Sequence, residues 1–330
     1  MELAESNLKK RRYLEFERPL AELDTQITQL KGLRLQSNVD VSAEIQTLEA
    51  KAAQILKELF SNLQPYQIVQ ISRHPDRPTA LDYFELIFDD FLELHGDRHI
   101  LEDRSIVGGL ASIDGHSVLV LAHQKGRTTQ ENVQRNFGMP KPEGYRKALR
   151  LMKLAERFEL PIITLIDTPG AYPGIEAEER GQAFAIAENI LEMTDLKVPI
   201  LSVILGEGGS GGALALAVAD RMLMLEYTTY SVISPEGCAA ITWKDSSFAS
   251  KAAEALRLTA KEIQKAKVAD SIIEEPLGGA HRDPHLAAEK LKTALVTELR
   301  SLKEMSVDQI LKNRYARYRG LGVFEQKVQA

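Results

Sequence analysis

Five of the eight positions from Gly206 to Ala213 are glycine, in the run Leu205-Gly-Glu-Gly-Gly-Ser-Gly-Gly-Ala213, and the residues on both sides are apolar. A chain built this way must pass from a buried strand (Val198 to Leu205) into a buried helix through a joint almost free of side chains. Glycine lets backbone approach a ligand, and the unpaired N–H groups at a helix start, with the positive end of its dipole, stabilise an anion or a developing oxyanion. A tight turn with close helix–sheet packing is the plainer use of the same residues.

Three named motifs compete for this run. A phosphate-binding P-loop fails, because Gly212-Ala213 stands where Lys-Ser/Thr is required. Asp167-Thr-Pro-Gly170 has the look of a GTPase magnesium-side motif, which means nothing without that phosphate loop. Gly208-Gly-Ser-Gly-Gly212 satisfies Gly-x-Ser-x-Gly between strand and helix, the setting of a nucleophile elbow. Ser210 would then need a base, for which His281 and His285 flank Asp283 downstream, giving a serine hydrolase as the alternative reading; otherwise Ser210 is a helix N-cap.

The 330 residues carry 41 Lys+Arg and 47 Asp+Glu, a net charge of −6, with 44% hydrophobic and 27% charged residues. That balance excludes a disordered, collagen-like or nucleic-acid-coating chain. One cysteine, Cys238, makes neither an internal disulfide nor a cysteine zinc site, so a reducing compartment is expected and no metal is assigned to this chain. The longest apolar runs fall short of a membrane span, and the opening MELAESNLKK has no signal-like core, so the cytoplasm or a plastid stroma is expected.

Leu20, Leu23, Ile27 and Leu30, then Ile45, Leu48, Ala52, Ile55 and Leu59, place a heptad seam on two helices across the polar break Gln36 to Asp40. A helical hairpin follows, either a dimerisation arm or helices packed on the main body. The three prolines within residues 61–80 mark a boundary, which divides the chain into an arm with its linker (1–75) and a main domain with C-terminal helices (76–330). In that domain Leu81 to Leu94 reads as helix, and Ile106 to Ile113 and Ser117 to Ala122 form a hairpin around Asp114-Gly115. A helix from Gly144 to Glu159, a strand from Leu160 to Ile166, a helix from Glu176 to Met193 and the strand Val198 to Leu205 then predict a parallel sheet. Both glycine turns, the second being Asp167-Thr-Pro-Gly-Ala-Tyr-Pro-Gly174, fall at the carboxyl ends of strands, where such sheets bind ligands.

The two loops together resemble the carboxyltransferase alpha subunits of bacterial-type acetyl-CoA carboxylase, as do Arg73-His-Pro-Asp-Arg-Pro78, Glu93-Leu-His-Gly-Asp-Arg98, Phe137 to Lys147, Ser231 to Cys238 and Glu275 to His281. The resemblance implies a crotonase-like α/β fold, a spiral of β-β-α units with an N-terminal helical hairpin arm. It implies transfer of a carboxyl group from carboxybiotin, held on a separate biotin carboxyl carrier protein charged by biotin carboxylase, to acetyl-CoA, giving malonyl-CoA for fatty acid synthesis. A zinc-ribbon beta subunit would complete an α2β2 heterotetramer; neither a membrane nor a nucleic acid is implied. By position the biotin-side oxyanion hole falls to the backbone of Gly208 and Gly209, with Gly170 and Ala171 as further donors. Gly206, Gly211, Gly212, Tyr172 and Gly174 are expected to line the cleft. The basic residues Lys125, Arg127, Arg135, Lys141, Arg146 and Lys147 either meet CoA phosphates or an acidic carrier surface, or form a solvated loop.

Overall fold

The computed structural model describes residues 11–37 and 40–323. The opening decapeptide and part of the polar break lie outside them. Helices α1 (Arg18–Ser37) and α2 (Ser42–Ser61) form the hairpin, with Leu20, Leu23, Ile27, Ile45 and Ala52 buried along the expected seam and Lys31 paired with Glu49 at 2.7 Å. The root of the arm is packed on the main body. Phe60 meets Tyr227 edge-on at 5.5 Å, and Arg282 donates to Glu17 at 2.9 Å. The proline-rich stretch after it contains α3 (Pro65–Ser72), whose Val69 and Ile71 are buried, and leads into α4 (Ala80–Ile87).

Helical periodicity over Leu81 to Leu94 is only half realised. After α4 the chain turns into β1 (Asp89–Glu93), an antiparallel edge strand whose mostly exposed side chains mask it in the sequence. Strands β2 (Ile106–Ile113) and β3 (His116–His123) form the expected hairpin, with Asp114 and Gly115 both left-handed (φ 50° and 76°), as a type I′ turn requires. From β3 onward the sheet is parallel. It runs through β4 (Ile162–Thr168) and β5 (Ile200–Gly209) to β6 (Arg221–Leu225) and β8 (Ser271–Ile273), while β7 (Thr229–Ser231) pairs with the end of β5.

Both faces are covered, which is why these strands read as continuous apolar runs. Ile163, Leu165, Leu201 and Val203 point to the side of α4 and α13 (Pro284–Lys303). Ile162, Ile166, Ile200 and Ile204 point to the opposite side, where α6 (Pro142–Arg157), α8 (Gln182–Asp195) and α9 (Ser210–Ala217) pack. Short helices α5 (Thr129–Gln134) and α7 (Ile175–Glu179) sit in the loops after β3 and β4. The helix expected over Glu176 to Met193 is thus two, α7 and α8, separated at Arg180-Gly181. Helices α10 (Pro235–Trp243), α11 (Ala249–Leu256), α12 (Ala260–Lys265) and α14 (Val307–Arg319) complete the α/β body. Arg314, at 1% exposure, binds Asp220 at 2.8 and 2.9 Å and the carbonyls of Met193, Leu196 and Val198. No described helix is long and apolar enough to cross a membrane.

Candidate functional site

The glycine run is not a loop. Strand β5 continues through Gly206, Glu207, Gly208 and Gly209, pairing Gly208 with Thr168 on one side and Tyr230 on the other, and α9 begins directly at Ser210. The N–H groups that α9 leaves without intrahelical partners are therefore those of Ser210, Gly211 and Gly212, and Gly208 and Gly209 lie just before them. At the far end of α9, Thr164 and Ser202 hydroxyls both reach the Leu216 carbonyl, at 2.7 and 3.1 Å, and so pin the helix to the floor of the sheet.

What brings the two turns together is the absence of side chains between them. A β-carbon on Gly209 would lie 2.1 Å from the Pro169 carbonyl oxygen, and one on Gly212 would lie 2.6 Å from the Ala171 nitrogen. The β5–α9 junction and the turn after β4 thus touch backbone to backbone. Within that turn the Gly170 N–H donates to Thr168 Oγ1 at 3.1 Å and the Tyr172 N–H to the Pro140 carbonyl at 3.0 Å, whereas no such bond to a described residue engages the Ala171 N–H. Tyr172 folds against Gly174 and under Lys141, whose Nζ lies 4.6 Å from the ring centroid. Gly206 is buried against Asp167 and the Ser72 carbonyl, and Gly212 is buried against the β4 turn, so of the expected cleft residues these two lie below the surface.

Beneath the junction runs a charged network that the motif reading did not assemble. Asp167 Oδ1 accepts from Lys125 Nζ at 2.7 Å and from the Glu207 N–H at 3.0 Å. Burial alone would lower the Lys125 pKa, but the carboxylates of Asp167 and Glu207 outweigh it and hold the ammonium charged. Glu207 pairs with Arg73, which also binds Glu236 at 2.8 Å, and Tyr66 donates to Glu236 at 3.1 Å. Each charge is paired, so the network is a rigid base for the turns. The sequence signal was a charged residue at each strand end, Asp167 and Glu207, beside glycine.

His123 ends β3 fully buried, its ring beside the Gly212 backbone but without a well-formed hydrogen bond to either nitrogen among the described residues. Burial pushes its pKa down to about 3, and the pull of Asp167 and of the Gly212 backbone offsets this only in part. The unfolded chain takes up this proton near pH 6.5 and the folded one does not, so stability is complete above pH 6.5 and falls as pH drops toward 3. The expected slope from this residue is up to about 1.4 kcal/mol per pH unit. Urea midpoints at pH 7, 6 and 5 should show it, and His123→Gln should flatten the slope; an unchanged slope would refute the assignment.

Ser210 has no base. His281 stacks on His74 at 3.9 Å, its nitrogens bond to nothing among the described residues, and burial, reinforced by His74, Arg77, Arg282 and Arg11, pushes its pKa down to about 2. The serine hydrolase alternative therefore falls. His74, His281 and Glu17 bring potential metal-ligating atoms within 4.8 Å of one another. Yet the rings lie at 15°, so their in-plane lone pairs run side by side, His74 Nδ1 already accepts from the Asp76 N–H at 3.1 Å, and Glu17 holds Arg282. The cluster joins the arm to the body.

A sequence profile of acetyl co-enzyme A carboxylase carboxyltransferase-like proteins matches residues 13–322. The chain belongs to this family. The acetyl-coenzyme A carboxylase carboxyl transferase subunit alpha of Methylococcus capsulatus is 55% identical over 315 residues, covering 96% of this chain and 98% of the relative. The subunit of the same name from Thermus thermophilus is 56% identical over 313 residues, covering 95% and 99%. Solved structures share the fold at lower identity. They include transcarboxylase 12S (TM-score 0.51, 18% identical, 76% of this chain and 43% of that one) and the beta subunit of Pseudomonas aeruginosa geranyl-CoA carboxylase (0.54, 16%, 77% and 46%). A Pseudomonas malonate decarboxylase hetero-tetramer in complex with coenzyme A is a third (0.55, 16%, 66% and 89%). The crotonase-like α/β architecture expected from the resemblance is thus the fold of this family member, and the chain is a carboxyltransferase subunit.

Proposed function

We propose that this chain is the alpha half of a two-chain enzyme that transfers a carboxyl group from biotin on a separate carrier protein to acetyl-CoA, forming malonyl-CoA for fatty acid synthesis. The observation that carries this reading is the backbone contact between the β5–α9 junction and the β4 turn, which offers amides in place of a nucleophile and base. Carboxybiotin would supply the carboxyl group, and its departure would leave negative charge on the ureido group, which would take up the proton released from the acetyl methyl. Preorganised N–H donors at the ureido oxygen are the main requirement, and one such donor is worth about 10²–10³ in rate. Gly208 and Gly209, the α9 amides beside them and Ala171 supply the donors in this reading; Gly170, its N–H turned to Thr168, shapes the turn. The paired Lys125–Asp167–Glu207 network holds them and moves no proton.

The acetyl-CoA side would come from a second chain of the same fold, and an apolar surface supports a docking face for it. Ile175, Phe184, Leu191 and Leu214 are exposed on α7, α8 and α9 beside the turns, with Ile175 at 75% and Phe184 at 73%. Exposed large apolar side chains grouped in this way mark an interaction face. The malonate decarboxylase of similar fold is itself a hetero-tetramer, which favours pairing of such domains, and we assign the complete enzyme an α2β2 form in the cytoplasm or a plastid stroma, with the residue 1–75 arm contributing to assembly.

Co-expression with a zinc-ribbon beta chain, followed by malonyl-CoA-dependent carboxylation of free biotin, tests the reading. Activity is expected in the mixture and in neither chain alone. Ser210→Ala should lower it by no more than a few fold, since no step uses the hydroxyl. Turnover by the isolated chain, or an associated and folded mixture without activity, would overturn the assignment.

A further inference from the structure

A groove of about 530 Å³ opens between β1, β2 and α5, and Arg98, Arg104 and Arg135 line it. It shares Arg104 and Glu102 with a second hollow of about 300 Å³ that ends at Asn136 and Lys141. Lys141 lies over Tyr172 and 3.4 Å from Glu176, so the joined groove leads from the sheet edge to the mouth of the glycine turns.

Of the carboxylates in the groove, Glu93 lies 3.6 Å from His95 and faces Arg135, and the others are committed inward. Glu102 binds the buried Lys147 and the Gly96 N–H, and Glu143 binds Arg180 and Arg146. Among the described residues Arg98 and Arg104, both exposed, have no ion-pair partner, and the Arg135 guanidinium donates to the Arg104 carbonyl at 2.8 Å and to no other described group. Arg135 is held below the usual arginine range by burial, with Arg104 adding to the effect despite the pull of Glu93 and Glu131. In a chain of net charge −6 this is a local excess of cations, with Arg98 and Arg104 unpaired among the described residues.

Apolar side chains border it. Leu101 at 57%, Val133 at 61% and Phe137 at 52% exposure stand around the arginines. Phe137 is presented at a cost: Asn136, Phe137 and Gly138 all have left-handed backbone (φ 48°, 55° and 76°), and its ring stacks on no other aromatic among the described residues. Such strain persists where the surroundings enforce it and is concentrated at functional surfaces. The turn lies against the site itself, since a β-carbon on Gly138 would lie 2.7 Å from Lys125 Cγ. Arginine with exposed aromatic and aliphatic groups is the composition of a protein-binding face. A free anion would need the cations alone.

We propose that the Arg98–Arg104–Arg135 groove, with Phe137 at its rim, docks an acidic face of the protein that delivers biotin, leaving the tethered group to reach the glycine turns past Lys141. The inference rests on the carboxyltransferase reading above, because only a tethered substrate needs a docking face outside the cleft. Guanidinium groups pair with carboxylates in bidentate fashion, and charges at an exposed rim act mostly on encounter, so KM for the carrier is the sensitive quantity.

The test uses the assembled two-chain enzyme and two substrates, free biotin and the intact biotin carrier protein. The double variant Arg98→Glu/Arg104→Glu should raise KM for the carrier about tenfold or more while leaving turnover of free biotin within about twofold. For the unaltered enzyme, raising salt from 50 to 300 mM should weaken the carrier reaction and spare the free-biotin reaction. An unchanged carrier KM in the variant would overturn the proposal. Equal loss with both substrates would place coenzyme A phosphates in the groove instead, and loss of association with the beta chain would make it part of the subunit interface; either refutes carrier docking. An unaltered enzyme that carboxylates neither substrate would defeat the parent reading, a result separable from these.

Discussion

Gly209→Ala is expected to reduce carboxyl transfer by more than about 100-fold in the assembled enzyme, the loss associated with one oxyanion donor or more. The added methyl would stand 2.1 Å from the Pro169 oxygen and 2.3 Å from its carbonyl carbon, distances that no rotamer change relieves because both atoms are backbone. Either the β4 turn or the β5–α9 junction must move, and the donors of the two lose their common focus. Gly211→Ala provides the contrast, since its β-carbon would meet Ile186 Cδ1 at 3.4 Å, an ordinary contact with a flexible side chain. It should retain activity within a few fold. The comparison is made by malonyl-CoA-dependent carboxylation of free biotin, with association to the beta chain verified for each variant. Wild-type rates for Gly209→Ala would show that the backbone contact between the turns does not set the site.

The difference between these neighbours also shows what the sequence could and could not disclose. Glycine density located the junction, because a strand, a helix and no side chains between them can be read from one stretch of chain. Which glycines are indispensable depends on the β4 turn some forty residues away, and no local signal carries that. The hairpin at Asp114-Gly115 was legible for the opposite reason, since its two left-handed residues and alternating strands are all local. The end of the Leu81 to Leu94 segment misled because β1 is an edge strand with a mostly exposed burial pattern, so its apolar spacing passed for a helical one. Likewise Asp167 and Glu207 were visible as single residues, but Lys125 joins them only through the sheet, where β3, β4 and β5 lie side by side. Function was legible through the family resemblance that the two glycine turns carry; the supporting charges were not, because their partners are distant in the chain.

Arg77→Met is expected to produce the largest loss of stability among the charged residues around the site, about 3–5 kcal/mol. Arg77 and Glu275 are 198 residues apart yet nearly solvent-free, at 4% and 0% side-chain exposure, and form a bidentate pair at 2.6 and 2.8 Å. Neither group has a spare partner. Arg77 Nε donates to the Leu205 carbonyl at 2.7 Å, and Glu275 accepts the Tyr227 and Ala280 N–H groups at 3.0 and 2.6 Å. The pair therefore clamps the last apolar residue of β5, immediately before the glycines, to the loops after β6 and β8. Removing the guanidinium leaves a buried carboxylate facing only two amides, which costs more than the pair itself contributes. Arg77→Met/Glu275→Met removes both charges, and it should be more stable than Arg77→Met alone by at least about 1 kcal/mol, a coupling typical of groups in direct contact. Urea unfolding of the two variants beside the parent chain measures this. A single variant as stable as the parent, or a double variant whose losses merely add, would mean that the buried charges do not act as a unit, and the glycine junction would need another anchor.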